Sequence, residues 1–378
     1  MKAFFNRLTW ANRLLLALFG VLAVLALHNY FAYAPNSRHR LRTYYDDAYG
    51  FPVYVNQLDF YPDGQLPTGS AAGVAMVPGA AGIDSSGARA DTPIGEWGRG
   101  PATIENELLP LPTALAVNYT SVVEQRSYGG RVPLPRARLD SVLAQMDAHP
   151  KLYQSMYAYP TNQPGFALQA GLGPGGLVVV WLLGEQYQVE LTRAHLPAVP
   201  TTWPKAAGVN PDAIGTESGP PAHSFAKLRR QVNRAELAHM DSFPHTSPAL
   251  LDSLGQRYRY RLRVLGQPLL PATLDATFLN HEQELLPAPG GATGQLYRAV
   301  PDGLQYTVAG AHLPTHQRST VFEAAETRRA FARVQAACAP GEVPELLLTT
   351  SGEHVLAALH CRRLAVPLPQ VITYVGPD

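Results

Sequence analysis

The chain has little charge and no excess of either sign: 30 Lys and Arg stand against 29 Asp and Glu, a formal net charge of +1, and charged residues fill only 16% of its 378 positions. Without a field of one sign nothing gathers nucleic acid or an acidic membrane surface, so no nucleic-acid partner is expected. Cysteine is nearly absent. Cys338 and Cys361 are the two present, so no Cys-x-x-Cys redox or zinc motif exists. An even pair could close a disulfide in an oxidising compartment, or lie apart as two buried thiols, and the sequence leaves both open.

Catalytic signatures are also missing. "HEQEL" at His281 lacks the second His of a zinc-protease helix, and Pro314 sits between His312 and His316 and spoils their helical spacing. No G-x-S-x-G elbow occurs, and "GTESG" near Ser218 lies in a Pro/Gly-rich loop. Glu124, Glu185 and Glu282 are scattered, so acid/base work by converging carboxylates has no support in spacing. No catalytic residue, metal or cofactor is expected. Asn118-Tyr119-Thr120 matches a glycosylation sequon, a frequent chance match.

Gly171, Gly173 and Gly176 do have the G-x-G-x-x-G spacing of a dinucleotide loop. That loop needs a helix behind it, whose free N–H groups receive the pyrophosphate. Here "LVVVWLL" follows, a β-branched run, and Pro174 removes one N–H. The stretch therefore predicts strand, tight turn, strand, and no nucleotide.

What is abundant points to sheets. Hydrophobic residues make up 46% of the chain, and 32 Gly with 34 Pro supply many turns. The expected class is α+β and β-rich, with antiparallel sheets in a sandwich-like arrangement, a few packed helices and one N-terminal transmembrane helix. That helix is read from Leu14–Ala34, 21 residues without a charge, which at about 1.5 Å each match a hydrocarbon core. The strictly apolar part, Leu14–Leu27, also has the length of a signal-peptide core, and Ala32-Tyr33-Ala34 mimics a cleavage site, although Pro35 would follow the cut. An uncleaved anchor is the first expectation, a cleaved signal the second and a buried core helix the third. Arginines flank both ends of the span; the tail is expected inside and the large domain outside.

Four segments follow: an anchor over 1–43, an extended strand with a Gly/Ala/Pro-rich linker over 44–111, a β-rich domain over 112–318, and a helix-hairpin unit over 319–378 packed on it. Residues 64–102 show no period and read as a loop or mobile linker. Residues 115–121 alternate as a strand, Gly129-Gly130 reads as a turn, and Leu139, Val142, Leu143 and Met146 form a helical stripe. "SFAKLRRQVNRAELAHM" reads as a surface helix and "SPALLDSL" as a short helix stopped at Gly255. Next, Tyr258, Tyr260, Leu262 and Val264 alternate with Arg257, Arg259, Arg261 and Arg263, a strand whose arginine face could grip an anion or simply be solvated. Pro301-Asp302-Gly303 reads as a turn between two strands, and Thr320 with Glu323 as a capping box for a helix stopped at Pro340-Gly341. "ELLLTT" and "HVLAALHC" read as a hairpin.

"PTALAVNYTSVVEQRSYGGRVPLP", "GLGPGGLVVVWLLG", "SPALLDSLGQRYRYRLRV" and "ATFLNHEQELL" together resemble a bacterial family of envelope proteins of unknown function, number 2931 in the domain-of-unknown-function series. The resemblance runs over about Pro112–Val308. It rests on Tyr119, Ser121, Glu124, Tyr128, Leu134, Pro135, Pro174, Gly175, Gly176, Trp181, Asn280 and Glu282. Tyr119 stands where the family's pattern has Trp, and His281 where Gly is usual. Members are mostly lipoproteins; this chain has no N-terminal Cys to lipidate, so anchoring would rest on the apolar span.

These readings converge on a membrane-anchored extracytoplasmic protein, held in the inner membrane with its C-terminal domain in the periplasm, that binds another envelope protein and is not an enzyme. Weak binding candidates are Tyr119, Glu124, Tyr128, Trp181, Arg259, Arg261 and Glu282, and Cys338 with Cys361 is the disulfide candidate. A hydrolase or glycan-active enzyme with carboxylates assembled in space, and a carbohydrate- or lipid-binding module with a Tyr/Trp groove, are the alternatives.

Overall fold

The computed structural model describes residues 10, 12, 15, 18–27, 41–47, 51, 53–62, 68–71, 74–75, 102–109, 111–148, 166–184, 187–201, 225–226, 229, 248–266, 269–287, 297–308, 316–351 and 354–375. Val, Leu, Tyr and Thr at alternate positions favour extended chain, and strands dominate accordingly. The largest sheet has ten, in the order β22 (Gln370–Val375), β18 (His316–Phe322), β17 (Pro301–Val308), β14 (Leu269–Phe278), β15 (Gln283–Pro287), β10 (Gln188–His195), β9 (Leu177–Leu183), β8 (Phe166–Leu172), β1 (Leu41–Asp47) and β5 (Ala102–Leu109). A second sheet runs β11 (Ala198–Val199), β7 (Arg126–Pro133), β6 (Pro112–Ser121), β2 (Val53–Pro62) and β3 (Thr68–Ala71), with β4 (Val74–Ala75) also on β2. A third pairs β12 (Tyr258–Arg259) with β16 (Tyr297–Arg298), and a fourth runs β13 (Arg261–Gly266), β19 (Glu345–Ser351), β20 (His354–Cys361) and β21 (Leu364–Pro367). Pairing is antiparallel except for β1 on β8 and β13 on β19. The fold is α+β and β-rich, with few helices, as the composition implies.

One cluster of buried apolar side chains draws on the ten-, six- and four-stranded sheets and on the helices, with Tyr258 of the two-stranded sheet packed against it. Its centre is β9, where Leu177, Val178, Val179, Val180, Trp181 and Leu182 are all buried. A strand buried on both faces reads as a continuous apolar run, which is why "LVVVWLL" shows no alternation. Helix α1 (Arg136–Ala148) adds Leu139, Val142 and Leu143 to the same core, α2 is Pro248–Leu254, and α3 (Ala324–Ala337) adds Ala330, Phe331 and Val334.

The ten-stranded sheet takes β1 from before residue 48 and β22 from the last ten residues, so its pairing crosses the segments drawn from sequence. Residues 18–27 are helical and their large apolar side chains are exposed, Leu18, Phe19, Val21, Leu22, Val24, Leu25 and Leu27 among them. No helix among the described residues is long and apolar enough to cross a membrane. Most of the rest of the expected 14–34 span lies outside the described residues, as does all but Phe225, Ala226 and Arg229 of the expected 224–240 helix.

Five local readings change. Gly129 and Gly130 lie inside β7, because Leu196 and Pro197 press close against them; the turn comes earlier, at residues 122–125, with Gln125 at φ 53°. Pro301-Asp302-Gly303 opens β17, where Gly303 leaves room for the Thr277 hydroxyl. The cap of α3 is Glu323 itself, whose carboxylate accepts from the Ala325 and Glu326 amides, while Thr320 sits in β18. The linker over 64–102 contains β3 and β4, held by backbone pairing to β2 and not by a hydrophobic period. The arginine strand breaks at Tyr260, which is fully buried, so Arg259 lies in the two-stranded sheet and Arg261 and Arg263 in the four-stranded one.

Arg298 on β16 is 1% exposed and held by Glu284 on β15 through two bonds, Nε to Oε2 at 2.7 Å and Nη2 to Oε1 at 3.0 Å. Burial disfavours its charge, but the bonds and charge of Glu284 more than offset this and hold the guanidinium above its ordinary value. Removing one partner of such a pair strands the other. Glu284→Gln is expected to lose about 3 kcal/mol in urea unfolding, and an unchanged midpoint would show that the pair does not hold β15 to β16.

Candidate functional site

The tight connection from β8 to β9 is the hub where the two large sheets meet. Its backbone is closed by the Gly173 amide on the Leu177 carbonyl (2.9 Å) and by the Leu177 amide on the Pro174 carbonyl. Gly175 and Gly176 have φ of 67° and 79°, a region that L side chains rarely adopt. Space excludes side chains there as well. A Cβ on Gly176 would lie 2.2 Å from the Leu196 carbonyl oxygen and 2.9 Å from the Tyr128 ring, and one on Gly175 would lie 2.6 Å from Pro248.

The turn does receive an anion, and the anion belongs to the chain. The Gly175 amide donates to both carboxylate oxygens of Glu124, at 3.0 and 3.2 Å. Glu124 follows β6, and its own amide donates to the Ser121 hydroxyl at 3.0 Å, which fixes the turn that aims it. From β6 itself, the buried Tyr119 hydroxyl donates to the Gly173 carbonyl at 2.6 Å. Tyr128 on β7 stacks at a tilt on Tyr119, 5.5 Å between ring centres, and lies near enough to Glu124 to feel its charge. Burial, and then the Glu124 charge, push the Tyr128 hydroxyl up to about 12. The same two causes raise Tyr119 well above its ordinary value. The second sheet is thus clasped to the first through one carboxylate and one phenol.

The network continues along β10. His195 faces the Gly175 carbonyl at 3.2 Å and the Asp252 carboxylate on α2 at 3.0 Å. Both partners are acceptors, so both contacts are hydrogen bonds only when each ring nitrogen carries hydrogen. Arg193, two residues back on the same face, clamps Glu190 through Nε and Nη2 at 3.1 and 3.0 Å and donates Nη1 to the Leu251 carbonyl at 2.9 Å. Gly255 makes room for that guanidinium, since a Cβ there would lie 2.7 Å from it. Beyond Glu190 the chain of contacts reaches the β14–β15 turn. The Asn280 amide donates to Glu190 at 3.3 Å, the Asn280 carbonyl accepts from the Trp181 indole at 3.1 Å, and Glu282 accepts from the Glu190 amide at 2.9 Å and from Arg257.

Of the residues singled out from sequence, Tyr119, Glu124 and Tyr128 meet at the Pro-Gly-Gly turn, and Trp181 and Glu282 meet at the far end of the same network. Arg259 and Arg261 lie apart from it. Sequence reasoning missed Glu190, Arg193, His195 and Asp252, which carry no local motif. Two carboxylates do converge, Glu190 and Glu282, but both are buried and each is held by an arginine, Arg193 and Arg257. Tyr119 and Trp181 are fully buried and offer no ring face to a ligand. A cavity of about 10 Å³ lies beside the network, lined by Gln188, Glu282, Gln283, Glu284 and Arg298 among others. It has room for a single water and not for a cofactor. Chemically the arrangement is a clasp, in which every carboxylate named accepts hydrogen bonds from within the chain.

His281 occupies the turn between β14 and β15 with φ 64° and stands edge-on to Trp181, 6.5 Å between ring centres. Glycine would adopt that φ without strain.

Residues 48–217 match the family model described as Protein of unknown function (DUF2931), and this stretch of the chain carries that family's domain. The match takes in β2 through β11 and the whole Glu124–Gly175 clasp; Asn280 and Glu282 lie beyond it. No curated protein and no solved structure matches the chain.

Two outcomes test the clasp. In Glu124→Gln the charge that holds the Tyr128 hydroxyl up is gone, so tyrosinate absorbance from that residue is expected to appear at a lower pH than in the parent. An unshifted titration would show that Glu124 is not its neighbour in solution. At position 281, a β-branched side chain meets the left-handed backbone, so His281→Val is expected to be about 1–2 kcal/mol less stable than His281→Gly. Equal stabilities in denaturant unfolding would contradict that geometry.

Proposed function

We propose that the chain is a tethered, non-enzymatic binding protein of a bacterial envelope, anchored by its N-terminal apolar segment with the sheet-built body outside the cytosol. The observation that carries this reading is the helix over 18–27, which is apolar on every side and exposed: Phe19 is 63% and Val24 65% exposed. A helix apolar all round calls for an apolar surround. The continuous uncharged stretch of 21 residues supplies the length.

The binding role is supported by a contrast within the body. Tyr119, Glu124, Glu190 and Arg193 are taken up by contacts within the chain, whereas the outer face of the four-stranded sheet exposes leucines and arginines, with Arg263 3.9 Å from Glu345. Leu265, Thr349 and Leu356 lie side by side across β13, β19 and β20, next to a row of Arg263, Leu347 and Ala358 and a row of Arg261, Glu345 and His360. Leu356 is 61% and Leu265 37% exposed, while Leu262, Leu346, Leu348, Ala357 and Leu359 fill the inner face. Two leucines flanked by arginines suit a protein partner with an apolar patch rimmed by carboxylates. This face, and not the whole arginine strand over 257–263, is the proposed binding surface.

The test is fractionation with surface variants. Full-length protein is expected to stay with membranes through high salt and alkaline washes and to be released by detergent, and a form lacking residues 1–40, which keeps all of β1, to be soluble. A photo-crosslinking residue placed at Leu356 is expected to capture one partner in intact cells, and R261E with R263E to abolish that capture. Full-length protein in the soluble cytosol, or capture indifferent to the two arginines, would contradict the proposal.

A further inference from the structure

Helix α3 ends at Cys338, whose amide still donates to the Val334 carbonyl at 3.0 Å. The chain then turns through Gly341, at φ 82°, and Glu342 folds back. The Glu342 carboxylate accepts from the Ala339 amide at 3.1 Å through one oxygen and from the Arg362 amide at 2.7 Å through the other. Arg362 follows Cys361, the last residue of β20. The carboxylate is therefore pinned between the segments that carry the two cysteines. Cys338 Sγ, Cys361 Sγ and a Glu342 oxygen lie within 4.8 Å of one another, all three residues half-buried.

We propose that Cys338, Cys361 and Glu342 form a binding site for a thiophilic divalent cation of the zinc class, with a fourth position open to solvent or to a partner's ligand. Two sulfurs and one oxygen are the donor types such an ion takes, and in a tetrahedron with metal–sulfur bonds of about 2.3 Å the sulfurs stand about 3.7 Å apart. With every donor pair within 4.8 Å, at most about 1 Å of side-chain movement closes the site. Three ligands with one open position is the arrangement of an exchangeable site and not of a closed structural one.

Charge argues in the same direction. An anion fixed beside two thiols hinders a thiolate and adds nothing to a sulfur–sulfur bond, but it serves a cation. On binding, M²⁺ displaces one proton from each thiol to solvent, two in all. The remaining charge of −1 lies beside Arg362 and Arg363, which directly follow Cys361 in the chain.

The experiment is a Co²⁺ titration of the full chain, reduced and stripped with a chelator, without oxygen. One ion per chain is expected, with sulfur-to-cobalt charge-transfer absorption and the visible bands of a tetrahedral ion. Cys338→Ser and Cys361→Ser should each weaken binding by about tenfold or more and reduce the charge-transfer band, and Glu342→Gln should weaken it while keeping the band of two thiolates. Circular dichroism reports whether each variant is folded. For the unaltered chain, Zn²⁺ should protect both cysteines from alkylation where Mg²⁺ does not. The absence of saturable absorption in the reduced chain, binding unmoved by either serine variant, or a chain isolated with its sulfurs joined that takes up no Co²⁺ after reduction would each overturn the proposal.

Discussion

No side chain fits at residue 176, and much of the molecule is arranged around that fact. The left-handed backbone of Gly175 and Gly176 turns β8 into β9 within three residues, and it brings the amide of Gly175 out where the second sheet can supply an acceptor. The Leu196 carbonyl, which closes over the turn, also marks where β10 leaves the large sheet to place β11 against β7. A single glycine thus sets how close two sheets approach. Glu124 and Tyr119 then bond to the carbonyls and amides that this approach brings within reach.

The acidic groups of this body show how a chain with little charge uses it. Glu124 is spent on a backbone amide, Glu190 on Arg193, Glu282 on Arg257 and Glu284 on Arg298. Burying such groups is costly unless each has a partner, and each of these has one. A loop that looks like a phosphate cradle in sequence is occupied from within by a carboxylate, which is the same physics with the ligand built in.

Much of the fold was legible because its signals are local. The alternation in β6, the apolar run of β9, the stripe on α1 and the hairpin of β19 and β20 depend on neighbours in sequence, and each lies where its period put it. Glycine and proline were harder, since their meaning depends on what comes close in space. Gly129-Gly130 and Pro301-Asp302-Gly303 resemble turns, yet they lie in strands because Leu196, Pro197 and Thr277 need the room. The site divides in the same way. Tyr119, Glu124, Trp181 and Glu282 surfaced through the family's pattern. Arg193 and His195 did not, because their partners Leu251 and Asp252 are 58 and 57 residues away and no spacing betrays them.

The two large sheets close over the Pro-Gly-Gly turn with no room to spare. Urea unfolding of Gly176→Ala measures this most directly. A methyl group 2.2 Å from a backbone carbonyl cannot be absorbed by a rotamer change, and the variant is expected to lose about 3 kcal/mol or to fail to fold. A Gly176→Ala protein with the stability of its parent would mean that the two sheets do not close over this turn, and the clasp would have to be abandoned.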